Sequence, residues 1–365
     1  MKLRHATRLA GILAFALMTT LGMQAAVQAQ AQDKVKVGFV YVGPVGDHGW
    51  TYRHDVGRQA IEAALGDKAE TSFVESVKEG PDAERVIRQL ASSGHNLIFT
   101  TSFGFMNPTV KVAKQFPEVK FEHATGYKRE ANLATYAARF YEGRYVAGVI
   151  AGKMTKSNTI GYIGSFPIPE VVRGINSFVQ GMHTVNPDGR VKVVWVNSWY
   201  DPGKEGDAAK ALIDQGADVI LQHTDSPAPL QVAESRGVWG VGQASDMQAF
   251  APKAQLTAII DNWDGYYVAR AQAVLDGTWE SGDTWGGLNT GMVEMAPYNE
   301  AIPADVIELA KAAEEGIKSG SLHPFQGPIT DQDGSTRVAA GETLGDEELL
   351  KMDWYVAGVL DKLPK

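Results

Sequence analysis

The amino-acid sequence predicts an α/β protein made of two similar lobes, each built around a parallel sheet. Apolar runs typical of strands alternate with helical segments from residue 35 to about 260, and this order produces parallel sheets with helices on both faces. The second half of the series repeats features of the first. A glycine-rich turn, Gly43 to Trp50, joins the first strand to the first helix, where an open α/β sheet places its ligand.

The predicted elements follow one another through short connections. Apolar runs bounded by polar turns predict strands at 35–42, 70–77, 97–101, 120–123, 159–163, 191–196, 217–221, 256–262 and 291–295. Helical spacing predicts helices at 51–65, 81–93, 108–115, 142–154, 171–183, 208–215, 266–275 and 306–319, and the last apolar segment is 354–360. The sequence has no low-complexity linker, so several chain crossovers join the lobes, which suits hinge closure around a ligand.

The internal repeat is clearest at two strands. The segment 94–103 aligns with 216–225, and each copy follows a helix that ends in glycine. The repeat places Phe103 and Asp225 at equivalent strand ends in opposite lobes, both facing the cleft. The alternative is that unrelated βα units resemble one another by chance.

Composition indicates a globular protein with one large or two ordinary domains. The chain has 365 residues, of which 44% are hydrophobic and 21% charged, ordinary values for a soluble protein. It contains no cysteine. Disulfides, thiolate zinc sites, thiol nucleophiles and lipid-modified cysteines are therefore excluded.

The first residues have the pattern of a secretory signal peptide. Lys2, Arg4 and Arg8 precede an apolar run, and Ala29-Gln30-Ala31 forms a small-x-small cleavage site. We expect cleavage near Ala31, with a site after Ala29 as the competing choice, and export to the periplasm. The formal net charge of −9 becomes more negative when the basic leader is removed. We therefore expect no nucleic-acid partner and no stable membrane insertion.

No catalytic or metal-binding constellation stands out in the sequence. There is no Gly-x-Ser-x-Gly nucleophile motif, and His48 and His54 are six residues apart, so they do not share a helix face. The glycines at 43, 46 and 49 lack the tight Gly-x-Gly start of a dinucleotide-binding turn. We expect a protein that is not an enzyme and that uses no cofactor or metal.

Aromatic residues just beyond the predicted strands suggest a flat ligand. Trp50, Phe103, Trp199 and Tyr200 lie in polar turns rather than inside the apolar runs. Core packing remains the alternative for each residue taken singly. An aspartate such as Asp225 could accept hydrogen bonds from ring donors, although helix caps and solvated turns are the alternative roles of such carboxylates.

Several motifs jointly resemble the basic membrane protein (BMP) or PnrA-like family of ABC transporter substrate-binding proteins, from residue 35 to about 330. They are Gly46-Asp47-His48-Gly49-Trp50 with Gly57, then the segments 117–121, 141–148, 199–205, 216–220 and 242–246. The resemblance implies a type I periplasmic binding protein fold, with two Rossmann-like lobes and a hinge of about three crossovers. Lobe 1 would comprise 32–140 and about 262–285, and lobe 2 would comprise 141–261 and about 286–365.

The resemblance also implies a ligand. Family members bind purine nucleosides between two aromatic side chains, whose positions here are Trp50 and Trp199. The positions that grip the ribose in the family are Ala244 and Asp261 in this chain, and a base-side aspartate is replaced by Tyr41. The stacking pair is thus kept while the ribose partners are missing. This predicts a free purine base, with adenine favoured and Asp225 hydrogen-bonding to its edge.

We expect a monomer that delivers its ligand to an inner-membrane ABC permease. The open alternatives are a nucleoside-binding transport protein, a ligand-sensing module and a secreted nucleoside-processing enzyme. The predicted ligand-binding residues are Tyr41, Asp47, Trp50, Ser102, Phe103, Asn107, Trp199, Asp225, Asp246 and Asp261.

Overall fold

The computed structural model describes residues 34–364, so the predicted signal peptide lies outside the described residues. Within that range the chain forms two six-stranded sheets and one two-stranded sheet. In chain order the strands are β1 (Val35–Val40), β2 (Ala69–Val74), β3 (Leu97–Thr100), β4 (Lys120–Ala124), β5 (Leu133–Ala138), β6 (Thr159–Gly164), β7 (Arg190–Trp195), β8 (Val219–His223), β9 (Trp239–Ala244), β10 (Gln255–Asp261), β11 (Asp283–Gly286), β12 (Val293–Met295), β13 (Ile329–Thr330) and β14 (Thr336–Val338).

The helices cover the faces of the two large sheets. They are α1 (Gly49–Leu65), α2 (Pro81–Ser92), α3 (Met106–Ala113), α4 (Phe140–Met154), α5 (Pro169–His183), α6 (Pro202–Asp214), α7 (Ala228–Arg236), α8 (Asp264–Leu275), α9 (Ala304–Ser319) and α10 (Asp346–Leu349). None of the helices within residues 34–364 is both long and apolar enough to cross a membrane.

The two large sheets have the same strand order. The first runs β2-β1-β3-β4-β5-β11 and the second β7-β6-β8-β9-β10-β12. All pairings are parallel except that of β10 with β12. The strands aligned by the sequence repeat, β3 with β8 and β1 with β6, occupy equivalent places. The strand order reverses between β1 and β3 in the first sheet and between β6 and β8 in the second. Doubly wound sheets bind their ligands at such a switch point.

The chain passes between the sheets three times. It leaves the first sheet after β5 and enters α4 at Arg139, returns from β10 to α8 through residues 262–263, and leaves again between β11 and β12. The predicted α/β fold class with three crossovers is therefore confirmed. We call the first sheet with its helices lobe 1 and the second lobe 2. The residue boundaries predicted for the lobes stay a prediction.

Two glycines let the central helices of lobe 2 pack closely. Helix α4 is buried over nearly its whole length and packs against α5. A Cβ on Gly148 would overlap the main-chain oxygen of Phe178, and one on Gly181 would overlap that of Tyr145. The backbones approach at a distance that other residues do not permit.

Some elements are absent from the sequence prediction. Strands β5, β9 and β11 and helix α7 occupy stretches with no predicted element. The sequences of β5 and β9, LATYAA and WGVGQA, are rich in alanine and glycine and lack a run of β-branched residues. They form strands because neighbouring strands supply hydrogen bonds and burial, which local propensity does not record.

The C-terminal segment beyond α9 packs on lobe 2. Val191 pairs with Val359 beside β7, and the Asn176 side chain of α5 donates to the main-chain oxygen of Trp354 at 2.7 Å. Helix α10 then reaches the first crossover, where Arg139 forms a bidentate pair with Asp346 at 2.8 and 2.7 Å. The predicted apolar segment 354–360 is thus neither helix nor regular strand.

A buried carboxylate ties the returning chain to lobe 1. Glu122 of β4 is fully buried and accepts hydrogen bonds from Tyr266 (2.6 Å) and Trp279 (2.7 Å). It also accepts one from Arg270. Burial raises the pKa of Glu122, while Arg270 acts in the opposite direction.

We expect Glu122→Ala to lower the free energy of unfolding by about 3–5 kcal/mol, because Arg270 and two other donors lose their buried acceptor. Chemical denaturation measures this loss. The control Glu315→Ala also removes a glutamate side chain, but from an exposed ion pair with Lys318. It should change the free energy of unfolding by less than about 1 kcal/mol. Equal effects in the two variants would contradict the structural role of Glu122.

Candidate functional site

A cavity lies between the lobes at the carboxyl ends of both sheets. Its volume, measured up to its open mouth, is about 360 Å³. Its lining residues come from both lobes and are Val42, Trp50, Ser102, Phe103, Thr125, Glu170, Trp199, His223, Asp225 and Gln243. A concave site with aromatic walls and a few polar groups is typical of small-molecule binding.

Trp50 is held firmly in the wall of lobe 1. It follows Gly49 at the start of α1, and its indole Nε1–H donates to the main-chain oxygen of Thr101 at 2.7 Å. The Trp50 ring forms T-shaped contacts with His54 and Trp263, at centroid distances of 4.3 Å and 5.7 Å. Because its N–H is satisfied and its neighbours are fixed, Trp50 presents a preorganised apolar surface to the cavity.

Trp199 occupies the corresponding wall of lobe 2. It lies in the turn after β7, next to Phe166 at 5.1 Å. The main-chain oxygen of Trp199 accepts from the N–H of Asp225 at 3.0 Å, and Asp201 caps α6 two residues later through Lys204 N–H. The turn is therefore fixed on both sides of the indole.

Lobe 2 supplies much of the polar lining. His223 ends β8, with Nε2 at 3.6 Å from the Glu170 carboxylate of α5. Burial and the nearby Arg144 lower the pKa of His223 to about 4, so the ring is neutral at pH 7. Arg144 is itself fully buried, and donates to the main-chain oxygen of Gln222 and to the side chain of Gln243.

Several buried polar atoms of lobe 2 have no hydrogen-bond partner among residues 34–364. They are Arg144 Nε, Tyr162 Oη, Ser165 Oγ, Gln222 Oε1, His223 Nδ1, Thr224 Oγ1 and both oxygens of Asp261. Buried polar groups in folded proteins are normally hydrogen-bonded. Their concentration at the carboxyl ends of β6, β8 and β10 therefore indicates an interface for water or a polar ligand.

Asp225 contacts lobe 1 directly. Its carboxyl group accepts a hydrogen bond from the main-chain N–H of Trp50, while burial and the neighbouring Glu205 raise its pKa. Beside it, Gly49 N–H donates to Ser245 Oγ at 2.7 Å. The N-terminus of α1 is thus hydrogen-bonded to lobe 2 across the cleft. Asp225 therefore connects the two lobes and also lines the cavity.

Half of the predicted ligand-binding residues line this cavity, namely Trp50, Ser102, Phe103, Trp199 and Asp225. The other five do not. Tyr41 is buried and donates to Asp55 at 3.2 Å, Asp47 pairs with His48, and Asn107 accepts from Lys128. Asp246 accepts from Gln248 and Gln255. Asp261 is fully buried at the end of β10.

The sequence analysis did not identify Val42, Thr125, Glu170, His223 and Gln243 as lining residues. Thr125 and His223 lie two residues beyond the predicted strands 120–123 and 217–221, so the rule applied to the aromatics could have identified them. Val42 lies inside the predicted strand 35–42, and Gln243 lies in β9, which the sequence did not predict. Glu170 lies in the first turn of α5, where a carboxylate is also a favourable helix-terminal residue. Its cavity position has no separate sequence signal.

A second, larger cavity of about 1250 Å³, up to its open mouth, adjoins the first. Phe103, Thr125 and Glu170 line both cavities. The C-terminal segment contributes Glu347, Leu350 and Lys351 to the second cavity. It forms a wide approach to the inner cavity between the two lobes.

Within residues 34–364, no three His, Asp or Glu side chains are grouped so as to hold a metal ion. The lining of the inner cavity combines two indole rings with several polar side chains.

The two lobes and the cavity between them define the fold of the type I periplasmic binding protein class. A solute-binding protein of an ABC transporter system from Aeropyrum pernix K1 has the same fold, with a TM-score of 0.69 and 20% identity, covering 86% of this chain and 97% of that one. The model of the family described as ABC transporter substrate-binding protein PnrA-like matches residues 34–332. The chain belongs to this family, which confirms the predicted resemblance.

Two relatives differ in the ligand that their names give. A purine-binding protein of Brucella abortus is 61% identical over 349 residues, which cover 96% of this chain and 99% of that protein. A protein of Haloferax volcanii, named as an ABC transporter glucose-binding protein, is 38% identical over 333 residues, covering 91% of this chain and 82% of that protein. Membership of the family therefore leaves the ligand open.

Gly49→Ala should weaken binding of the ligand at least about tenfold, or 1.4 kcal/mol. A Cβ at this position would lie 2.5 Å from the main-chain oxygen of Asp225, so α1 and lobe 2 could no longer approach as closely. Calorimetric titration of the wild-type protein and of the variant with the same ligand measures the loss.

Gly94→Ala is the matched control. Because φ is +84° at Gly94 and +76° at Gly49, an alanine is strained to a similar extent at both positions. A Cβ on residue 94, however, meets no atom within 4 Å. It should keep wild-type affinity. If Gly49→Ala also binds normally, lobe closure does not require the contact between Gly49 and Asp225.

Proposed function

We propose that this protein captures a free purine base, with adenine preferred, as the periplasmic substrate-binding component of an ABC importer. The observation that supports it most directly is the pair of tryptophans. Trp50 from lobe 1 and Trp199 from lobe 2 line one cavity. Aromatic side chains bind bases by stacking on their flat faces, with about 1–3 kcal/mol per base.

The polar groups of lobe 2 suit the edges of a purine. Each ring edge offers donors and acceptors, and His223, Gln243 and Asp225 line the cavity with groups able to meet them. Neutral His223 offers one donor and one acceptor nitrogen. The name of the Brucella relative, at 61% identity, supports the purine class over the sugar named for the more distant Haloferax protein.

Export and delivery complete the proposal. The predicted signal peptide would place the protein in the periplasm, where it would bind the base and present it to an inner-membrane permease. Binding without turnover is expected, because the site combines no nucleophile with a positioned base. Chromatography of adenosine after prolonged incubation with the protein should show no new product.

The first experiment identifies the ligand. The purified protein is denatured and the released small molecules are analysed by mass spectrometry. Calorimetric titration of ligand-free protein with adenine, hypoxanthine, adenosine and glucose then ranks them. Tight adenine and weak adenosine support the proposal, tight adenosine favours a nucleoside-binding protein, and tight glucose with no purine binding refutes it.

Trp50→Ala and Trp199→Ala should each weaken adenine binding about 5- to 150-fold, the equivalent of one lost stack. Calorimetry measures the dissociation constants, and thermal unfolding verifies that the variants are folded. Trp239→Ala is the control, because Trp239 begins β9, at the end of the strand remote from the cavity. Unchanged adenine affinity in both site variants would refute the stacking model.

A further inference from the structure

Glu170 lies where the inner and the second cavity meet. It belongs to the first turn of α5 and lines both cavities. Its Oε1 atom is 3.6 Å from Nε2 of His223, another residue of the inner lining, and its side chain is 14% exposed. The stretch just before α5 carries Phe166, whose ring lies 5.1 Å from that of Trp199. The Glu170 side chain is therefore part of the inner cavity, on the side of one of the two tryptophans.

The carboxylate of Glu170 has room for a hydrogen-bond donor. Its distance of 3.6 Å from His223 is longer than a hydrogen bond. Arg173, one turn further along α5, donates to the main-chain oxygen of Leu349 at 2.6 Å instead. Neither Glu170 oxygen is among the side-chain atoms of residues 34–364 that are buried without a partner. The oxygens are therefore accessible from the cleft and can accept hydrogen bonds from a bound molecule.

The other acidic residue of the inner lining is already engaged. Asp225 accepts a hydrogen bond from the main-chain N–H of Trp50. Glu170 lies instead at the N-terminus of a helix, which stabilises a negative charge. An ionised carboxylate accepts hydrogen bonds through both oxygens and donates none. Glu170 is therefore the residue of the inner lining that requires a donor from the ligand.

Two neighbouring polar groups of the lining are less demanding. Neutral His223 carries one donor and one acceptor nitrogen. Gln243 accepts from Arg144 through its side-chain oxygen, which leaves its amide N–H groups for a ring nitrogen of the ligand. Both groups suit the acceptor nitrogens that every purine has. A preference between purines with different substituents is therefore expected from Glu170, which can only accept.

Purine bases differ in what they offer at C6. Adenine carries an amino group with two N–H donors, whereas hypoxanthine carries a carbonyl oxygen that only accepts. The N–H of the five-membered ring is common to both bases and cannot distinguish them. A carboxylate that faces the C6 substituent gains a charge-assisted hydrogen bond from adenine. It is repelled by the carbonyl oxygen of hypoxanthine and is left without a donor.

We propose that Glu170 accepts a hydrogen bond from the exocyclic amino group of the purine and thereby selects adenine over hypoxanthine. This inference rests on the proposed function. It makes Glu170 the specificity-determining residue of the inner cavity, whereas the tryptophans stack on any flat base. A carboxylate that loses its donor weakens binding strongly, so the selection follows from the accessible and unpaired carboxylate.

The first test compares ligands that differ at C6. Wild-type protein is titrated calorimetrically with adenine, 6-methylpurine and hypoxanthine. The methyl group of 6-methylpurine has nearly the shape of the amino group but donates no hydrogen bond. We expect 6-methylpurine to bind at least about tenfold more weakly than adenine, and hypoxanthine at least about 30-fold more weakly. This test needs no variant and does not depend on the folding of a mutant.

Two variants then assign the effect to Glu170. Glu170→Ala should bind adenine at least about tenfold more weakly than wild type and 6-methylpurine within about threefold of wild type. Glu170→Gln supplies an amide N–H for the carbonyl oxygen, so it should bind hypoxanthine at least about fivefold more tightly than wild type. Thermal unfolding verifies that both variants are folded.

Glu315→Gln is the control for the loss of one negative charge. Glu315 is exposed on α9 and lines neither cavity. This variant should keep the wild-type affinities for all three ligands. If it shifts them as Glu170→Gln does, the effect comes from net charge rather than from a hydrogen bond, and the role of Glu170 is overturned.

The other outcomes separate this inference from the proposed function. If adenine binds but 6-methylpurine or hypoxanthine binds equally well, the role of Glu170 is overturned while purine binding stands. The same holds if Glu170→Ala keeps the wild-type preference for adenine over 6-methylpurine. If none of the purines binds, the proposed function fails and the inference fails with it.

Discussion

The cavity depends on the contact between the first turn of α1 and lobe 2. Gly49 donates its N–H to Ser245 Oγ at 2.7 Å, and its lack of a side chain leaves room for the main-chain oxygen of Asp225. Trp50 follows immediately, so the same turn that joins the lobes also places the indole in the cavity wall. A chain with three crossovers can close as a hinge, and this contact fixes how closely the lobes approach.

The two lobes share a topology but contribute different chemistry. Lobe 1 offers Trp50 and Phe103, whereas buried polar atoms without partners are concentrated at the strand ends of lobe 2. Stacking provides affinity for any flat ring, while hydrogen bonds that must be satisfied distinguish one ring from another. Both lobes thus contribute an aromatic wall, through Trp50 and Trp199, while most of the polar lining residues come from lobe 2.

The C-terminal segment extends the site beyond the part of the chain that the family model matches. That match ends at residue 332, yet α10 contributes to the wall of the second cavity. Trp285, near the third crossover, lies between Arg139 at 4.2 Å and Arg173 at 4.9 Å. Both arginines are bonded to α10, through Asp346 and the main-chain oxygen of Leu349, so the segment braces the hinge side of the cleft.

The sequence by itself determined the α/β class, the repeat, the family and the two tryptophans, because these are carried by consecutive residues with strong local patterns. It did not determine β5 and β9, whose alanine- and glycine-rich segments become strands only beside their neighbours. Nor could it separate Asp225, which lines the cavity, from Asp246, which is exposed and bonded locally. The position of Asp225 in the cavity wall and its contact with Trp50 arise between segments that are distant in the sequence, so only the tertiary structure decided that this carboxyl group lies at the cavity.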